Sequence, residues 1–456
     1  MARVAIIGGG FSGAITAYWL MQTAPASTSV TIFDQSHDLG RGVAYANGPD
    51  HLLLNVPANY LSPFSNDVEH FLRWLMLHKV DAVDRYREAD GALFVPRAWF
   101  GSYVLDLLDR ANRGRSGAVA LFHDRNFVSA LDSGRAGVTA ISNGRVHTFD
   151  AVVLAIGTAP PRPLLQNKNA APVKVIQSAW ELSGLSAMPL NADVVIVGSG
   201  LTMADAVADL FERGHTGSIV VVSRHGLMPH PAKGLLADYA APQEMIAGSA
   251  QALMRQVRDW AETSVDRPAA DWRHVIDHIR RNAPTFWRAM PPHEQARFRR
   301  HVRRYWDIHR YPMPPATYRI IQSLLGTGRL SHVKARAHET TEHGLRVSHG
   351  DREWTIPADV IINATGPDPT YATSPAGGLQ PLLLNVGLDP LDAARRGIDI
   401  DDDGQIVALP AELTGKIWCV GYLARGNHGE LSTVNAIGEI TRRMAGTISA
   451  YLATIS

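Results

Sequence analysis

The run Gly8-Gly9-Gly10-Phe11-Ser12-Gly13 has glycine at the first, third and sixth places, and each of the three has its own task. Gly8 permits a tight turn, Gly10 lets backbone approach a pyrophosphate, and Gly13 lets the following helix pack on the preceding strand. That helix would present unpaired N–H groups and the positive end of its dipole to phosphates. Asp34 stands 21 residues beyond Gly13, near the ~20 expected of a carboxylate that grips ribose hydroxyls. A second copy of the pattern lies in mid-chain as Gly198-Ser199-Gly200, with Met203 in the third glycine's place. Its acidic position is occupied by Ser223-Arg224, a hydroxyl and a guanidinium that suit the 2′-phosphate of NADPH. NADH remains possible if Arg224 only caps the edge of a sheet.

These glycines work only if strands and helices hold them. Arg3-Val4-Ala5-Ile6-Ile7 and Val194-Val195-Ile196-Val197 are short apolar runs of the kind buried on both faces of a parallel sheet. Strands over 30–33 and 218–222 follow each glycine turn and its helix. Two fingerprints imply two nucleotides with different tasks, FAD in the N-terminal fold and NADPH in a fold inserted within it. Two apolar runs end in small-residue turns at Gly157 and Gly366, where the chain would cross between the folds. A last strand runs to Gly421, and a helix over 432–451 would point its N-terminus, at Ser432, toward the flavin. The expected class is α/β, with two Rossmann-like domains and a helical insertion. The FAD-binding domain takes 1–165 and returns over 360–456, and the NAD(P)H-binding domain takes 166–359 with a helical cap over about 240–330.

The chain has 456 residues and a formal net charge of +1, which leaves no broad positive field for nucleic acid or an anionic membrane. The uncharged stretch 11–33 is broken by polar residues and Pro25, so it reads as helix, loop and strand rather than a membrane span. No secretory leader is expected, since glycines 8–10 interrupt the first apolar run. One cysteine, Cys419, cannot form a disulfide within the chain, a CxxC redox pair or a zinc cluster, and no metal site is expected. The cytoplasm is the simplest location.

With these residues in place, the chain resembles the two-dinucleotide-binding flavoprotein monooxygenases, in the group of the flavin-dependent urate hydroxylases and L-aspartate N-monooxygenases. The carriers are Gly8 to Gly13, Gly40-Arg41-Gly42-Val43-Ala44-Tyr45, His51-Leu52-Leu53-Leu54-Asn55-Val56-Pro57, Val95-Pro96-Arg97, Gly198 to Met203, Trp306-Asp307-Ile308-His309-Arg310 and Asn363-Ala364-Thr365-Gly366-Pro367. The resemblance implies a loop over 40–55 that wraps FAD. In it Arg41 meets the pyrophosphate or ribityl chain, Tyr45 belongs to the same loop, and Asn55 bonds the flavin edge. Arg97 matches positions that contact the dinucleotide. The implied cycle passes hydride from NADPH to flavin, forms a C4a-hydroperoxide with O2, and hydroxylates a small polar nitrogen-containing compound. Urate is the first expectation and an aspartate-like amino acid the alternative. A third reading is an NADPH-dependent flavin reductase serving a partner protein. No histidine follows Gly157 until His215, so the F-x-G-x-x-x-H signature of Baeyer–Villiger relatives is absent.

Helical periodicity over 251–263, 272–281 and 292–305 supports the cap. Nine arginines fall between Arg280 and Arg310 against Glu294 and Asp307, a pattern that reads first as a solvated helical face. At its end Arg310 could orient an anionic or imide substrate and His309 could exchange a proton; docking of the cap through Trp306 is the structural alternative. Past the last strand, His428 and Glu430 are candidates for substrate contact, with Ser432 or Thr433 capping the final helix.

Overall fold

The computed structural model describes residues 1–114, 119–134, 137–166, 173–234, 248–265, 271–368, 382, 397–407, 409–426, 428 and 431–455. Its first sheet has five parallel strands in the order Ile417–Cys419, Ala151–Leu154, Arg3–Ile7, Thr28–Phe33, Val119–Asp124. Val4, Ala5 and Ile6 are fully buried, as an apolar run covered on both faces must be. Helix Phe11–Thr23 packs against helices Arg97–Gly114 and Val434–Ile455. The last of these buries Ile437, Ile440, Met444, Ile448 and Leu452 along one stripe. A three-stranded antiparallel meander, Val128–Gly134, Gly137–Ser142 and Arg145–Phe149, is inserted before Ala151–Leu154. Its last turn is Asn143-Gly144, both at positive φ, the pairing a two-residue hairpin favours.

The second sheet repeats the plan with five parallel strands in the order Leu330–Lys334, Ile219–Ser223, Val194–Val197, Val360–Asn363, Lys174–Ile176. Helices Leu201–Glu212 and Pro315–Gly326 pack on it, with Met203, Val207, Ile321 and Leu324 in its core. A four-stranded sheet of Arg336–Thr340, Gly344–His349, Arg352–Pro357 and Leu165–Gln166 covers the other face. The two crossings between folds run side by side. Asn363 Nδ2 donates to Arg162 O at 2.9 Å, and Asp368 N donates to Pro160 O at 3.0 Å.

The cap is helical, as the periodicity predicts, in Ala250–Val265, Trp272–Arg281 and Pro292–Arg297. The short helix Ala283–Ala289 was not legible, because seven residues hold less than two turns of pattern. Pro292–Arg297 continues through a π-helical turn, Phe298–Val302, into Arg303–Arg310, so the third helix reaches beyond residue 305. Several of the nine arginines are paired: Arg280 and Arg281 with Asp277, Arg288 with Asp402, Arg297 with Glu294, Arg303 with Asp307. The cap is fastened to the C-terminal segment where Trp287 Nε1 donates to Gly426 O at 3.0 Å in a buried bond. Among the described residues no helix is long and apolar enough to cross a membrane, and no group of three or more His, Cys, Asp or Glu side chains could hold a metal ion.

Candidate functional site

In-register pairing of Ile7 with Phe33 and Leu154, and of Leu154 with Cys419, brings Gly8, Asp34, Gly157 and Gly421 to one edge of the first sheet. Gly8 has φ +103°, and a Cβ there would stand 2.3 Å from Ala155 O. A Cβ on Gly13 would stand 2.0 Å from Gly8 O, so strand and helix meet at backbone distance and no larger residue fits. Gly157, at φ +79°, faces open space. Gly421, at φ +87°, meets the start of the first helix, with Ser12 Oγ 3.0 Å from where its Cβ would be. Gly10 lies beneath Gly42, its Cβ position 3.4 Å from Gly42 Cα, which brings the loop from Gly40 over the turn. This is a cradle that fits a pyrophosphate and excludes side chains.

The polar candidates around it are partly engaged with the protein. Asp34 Oδ2 accepts from Gly9 N at 2.5 Å and Oδ1 from Ser36 N at 2.8 Å and from the Ser36 hydroxyl. Of about four acceptor sites on a carboxylate, one is left for a ribose. Arg41 donates to Ala98 O and Ser102 Oγ, both at 3.2 Å, so it braces its loop against helix Arg97–Gly114. The Tyr45 ring packs on Phe100 at 4.7 Å, and burial, opposed by the Arg97 charge, pushes its hydroxyl pKa up to about 12. Asn55 sits half-buried in the bend before Pro57.

The second sheet repeats the cradle. Gly198 has φ +108° and its Cβ would stand 2.3 Å from Ala364 O, while Gly200 and Gly366 face open space. The hydrogen bonds match as well: Gly8 N to Phe33 O and Gly198 N to Val222 O are both 2.9 Å, and Ala155 N to Ile7 O and Ala364 N to Val197 O are both 2.8 Å. Ser223 Oγ bonds His332 Nε2 at 2.8 Å and accepts from Gly226 N at 3.2 Å, so this hydroxyl shapes the turn. Arg224 is exposed and, among the described residues, makes no hydrogen bond or ion pair. Two cations that sequence reasoning missed join it. Lys334 ends the strand paired with Ser223, its stem against Gly226, and Arg304 comes from the cap. Burial and then the charges of Arg304, Arg224 and Lys334 lower the pKa of His225 between them. Only the strand order and the docking of the cap helix Arg303–Arg310 bring these residues together, since they are far apart in the chain.

Arg97 joins the two folds. Its Nη2 donates to Leu53 O at 3.0 Å and to Asp205 Oδ1, on helix Leu201–Glu212, at 2.9 Å, and its guanidinium lies 5.1 Å from the Trp180 ring. Burial raises the Asp205 pKa against the pull of Arg97. Beside this pair His51 Nε2 lies 2.9 Å from Asp209 Oδ1, and Arg213 holds the other oxygen at 2.6 Å.

Between the cap and the last segment of the first fold lies a cavity of about 730 Å³. Trp272, Phe286, Trp287, Phe298 and Trp306 wall it, and Tyr422, Arg425, Leu431 and Ser432 close the end next to Gly421. His309 faces it. A backbone carbonyl, Tyr305 O, lies 2.7 Å from its Nδ1, so in the neutral ring Nδ1 carries the proton and Nε2 accepts. The ring lies 4.6 Å from His230 and 4.9 Å from Trp272. Arg310 is buried against Tyr311 and is not part of the wall. His428 is buried outside the cavity, its Nε2 accepting from Arg288 at 2.9 Å; burial and then the Arg288 charge push its pKa down to about 4. Glu430 lies outside the described residues. Thr433, not Ser432, caps the final helix: Ala436 N donates to Thr433 Oγ1 at 3.3 Å. Cys419 is fully buried, and burial pushes its thiol pKa up to about 12.

Residues 5–159 match the family model described as FAD-NAD(P)-binding. No curated protein matches the chain by sequence. Among solved structures, the L-lysine 6-monooxygenase of Pseudomonas syringae is similar at 16% identity and a TM-score of 0.63, with 100% of this chain and 99% of that one covered. The ornithine N-hydroxylase of Kutzneria sp. 744, solved with reduced FAD, NADP+ and L-ornithine, is similar at 17% identity and a TM-score of 0.60, with 99% of each chain covered. The thioredoxin reductase of T. acidophilum is similar at 14% identity and a TM-score of 0.50 over the whole of both chains. At these identities the likeness is one of architecture, and it extends from end to end: the chain has the α/β fold of the FAD/NAD(P)-binding flavoproteins, with two Rossmann-like domains.

Proposed function

We propose that the chain is an FAD-dependent, NADPH-consuming monooxygenase that oxygenates a small molecule, most simply at nitrogen. The observation that carries this is the pair of matching glycine cradles, with a walled cavity ending beside Gly421 at the edge of the first sheet. Bound FAD would supply the redox chemistry: substrate, O2, NADPH and a proton give oxygenated substrate, water and NADP+.

The chain's own residues bind and orient. Gly8, Gly10, Gly13, Gly157 and Gly421 line the first cradle, and Asp34 braces its turn. Gly198, Gly200 and Gly366 line the second, and Arg224 with Lys334 reads the 2′-phosphate. The cap keeps water from the reacting end, and His309 Nε2 holds or releases a proton there. Two of the structural neighbours described above are named for ornithine and lysine, which supports the amino-acid N-hydroxylase alternative over urate. Disulfide reductase chemistry, as in the thioredoxin reductase neighbour, has no support: the single thiol is buried and held protonated.

The test is NADPH oxidation with and without ornithine, lysine, aspartate or urate, with products weighed by mass spectrometry. A product one oxygen heavier supports the reading. Rapid reduction of an added carrier protein, with O2 consumption unchanged by any substrate, would replace it with the flavin reductase.

A further inference from the structure

The cap cavity has a chemistry that its position alone does not explain. A site for a free amino acid or a purine needs polar groups converging on a small space, because such a ligand is mostly hydrogen-bonding surface. This one has about 730 Å³, within the range of ~300–1,000 Å³ that suits a drug-sized ligand. Its walls are mostly aromatic and aliphatic: besides the five aromatic residues above, Met254, Val257, Ile276 and Ile279 line it. Its charged groups are the guanidiniums of Arg258, Arg299, Arg303 and Arg425 against one carboxylate, Asp307, among the described lining residues, so the polar share of the wall is mainly cationic. A second observation comes from the backbone. The π-helical turn Phe298–Val302 puts Phe298, Arg299, His301 and Val302 on the cavity wall, and such turns cluster at functional sites.

We infer that the cavity is the substrate chamber and that it takes a ligand with a large aromatic or branched aliphatic body, its reactive polar end held at the Tyr422–Ser432 end. This rests on the monooxygenase reading for what happens to the ligand, though not for its binding. The apolar body would be driven in by burial against the tryptophans, with the polar end left to reach the sheet edge. A free ornithine or lysine would bring an ammonium among four guanidiniums with Asp307 as the one carboxylate of the described lining, and urate would leave the apolar walls uncovered.

The experiment uses the purified full-length holoprotein and one pair of probes. Anilinonaphthalene sulfonate reports occupancy by its fluorescence, and indoleacetate, ornithine, lysine and urate compete against it. Indoleacetate is expected to displace the dye saturably, and the three polar compounds to leave it bound at about hundredfold higher concentration. Met254→Glu places a carboxylate on the wall and should weaken indoleacetate about tenfold, with flavin content unchanged. Should that variant fail to fold, Ala261→Trp fills the same chamber and must give the same loss. Displacement by ornithine, lysine or urate as readily as by indoleacetate, or unchanged binding in both variants, overturns the inference. Flavin bleaching by NADPH, read on the same sample, separates the two failures: a chamber that binds indoleacetate in a protein that NADPH cannot reduce sinks the proposed function and leaves the chamber standing.

Discussion

Removing Arg224 and Lys334 one at a time should convert a preference for NADPH into indifference between NADPH and NADH. Lys334 ends one of two parallel strands paired at Ser223 and Lys334, and Arg224 follows the end of the other, close to the second glycine turn. Both are exposed and without ion-pair partners among the described residues, so their charge is available to a phosphate. A unit pair at about 4 Å in water is worth about 1 kcal/mol, and a phosphate monoester carries about two charges. Each cation therefore contributes about 2 kcal/mol at low salt, and about 1 to 1.5 once screened over a Debye length of about 8 Å. At 1.4 kcal/mol per factor of ten, Arg224→Ala and Lys334→Ala should each raise the KM for NADPH about tenfold and leave that for NADH nearly unchanged. The two effects share one ligand charge and should add only in part. Steady-state NADPH and NADH oxidation at two salt concentrations measures this, and the loss should shrink as salt rises. Equal losses for both nucleotides, or no loss with NADPH, would refute the assignment of the 2′-phosphate to this corner.

Gly13→Ala should yield protein without bound flavin after gel filtration, since its Cβ would stand 2.0 Å from Gly8 O, whereas Gly114→Ala, with nothing within 4 Å, should keep its colour. Arg97→Ala strips Asp205 of its guanidinium and should cost about 2 kcal/mol, below the 3 to 5 of a fully buried pair; thermal melts of the single variants and of Arg97→Ala/Asp205→Asn should show coupling, and additive losses would disprove a working pair. His428 has a folded-state pKa of about 4, below its unfolded ~6.5, so the unfolded chain binds the extra proton between those values. Stability from this group is full above about pH 6.5 and is lost as pH falls toward 4, up to about 3 kcal/mol; melts of His428→Asn should show a flatter pH dependence over that window, and parallel curves would contradict it.

The glycine cradles were legible because strand, turn and helix are contiguous in sequence, so the fingerprint and its structural context are read together. Met203 in the third glycine's place did not hide the second, since Gly198 makes the close approach to Ala364 O while Gly200 leaves open space at the turn. Arg97 shows the limit. Its proximity to a nucleotide loop was visible, yet its partner Asp205 is 108 residues away, and only the docking of one fold on the other brings them together. The basic corner of Arg224, Lys334 and Arg304 was legible in one member of three for the same reason. His428 looked available because its loop follows the last strand, but Arg288 from the cap takes its Nε2. The cavity could not be read at all. Helical periodicity locates the apolar face of each cap helix, whereas the space left between those faces depends on how they cross.

The most direct test of the whole account is an anaerobic titration of the purified protein with NADPH while the visible spectrum is recorded. The account predicts a yellow protein that bleaches at one NADPH per flavin and recovers its colour when air is admitted. Colourless protein that does not take up added FAD, or a flavin that NADPH leaves oxidised, would contradict it.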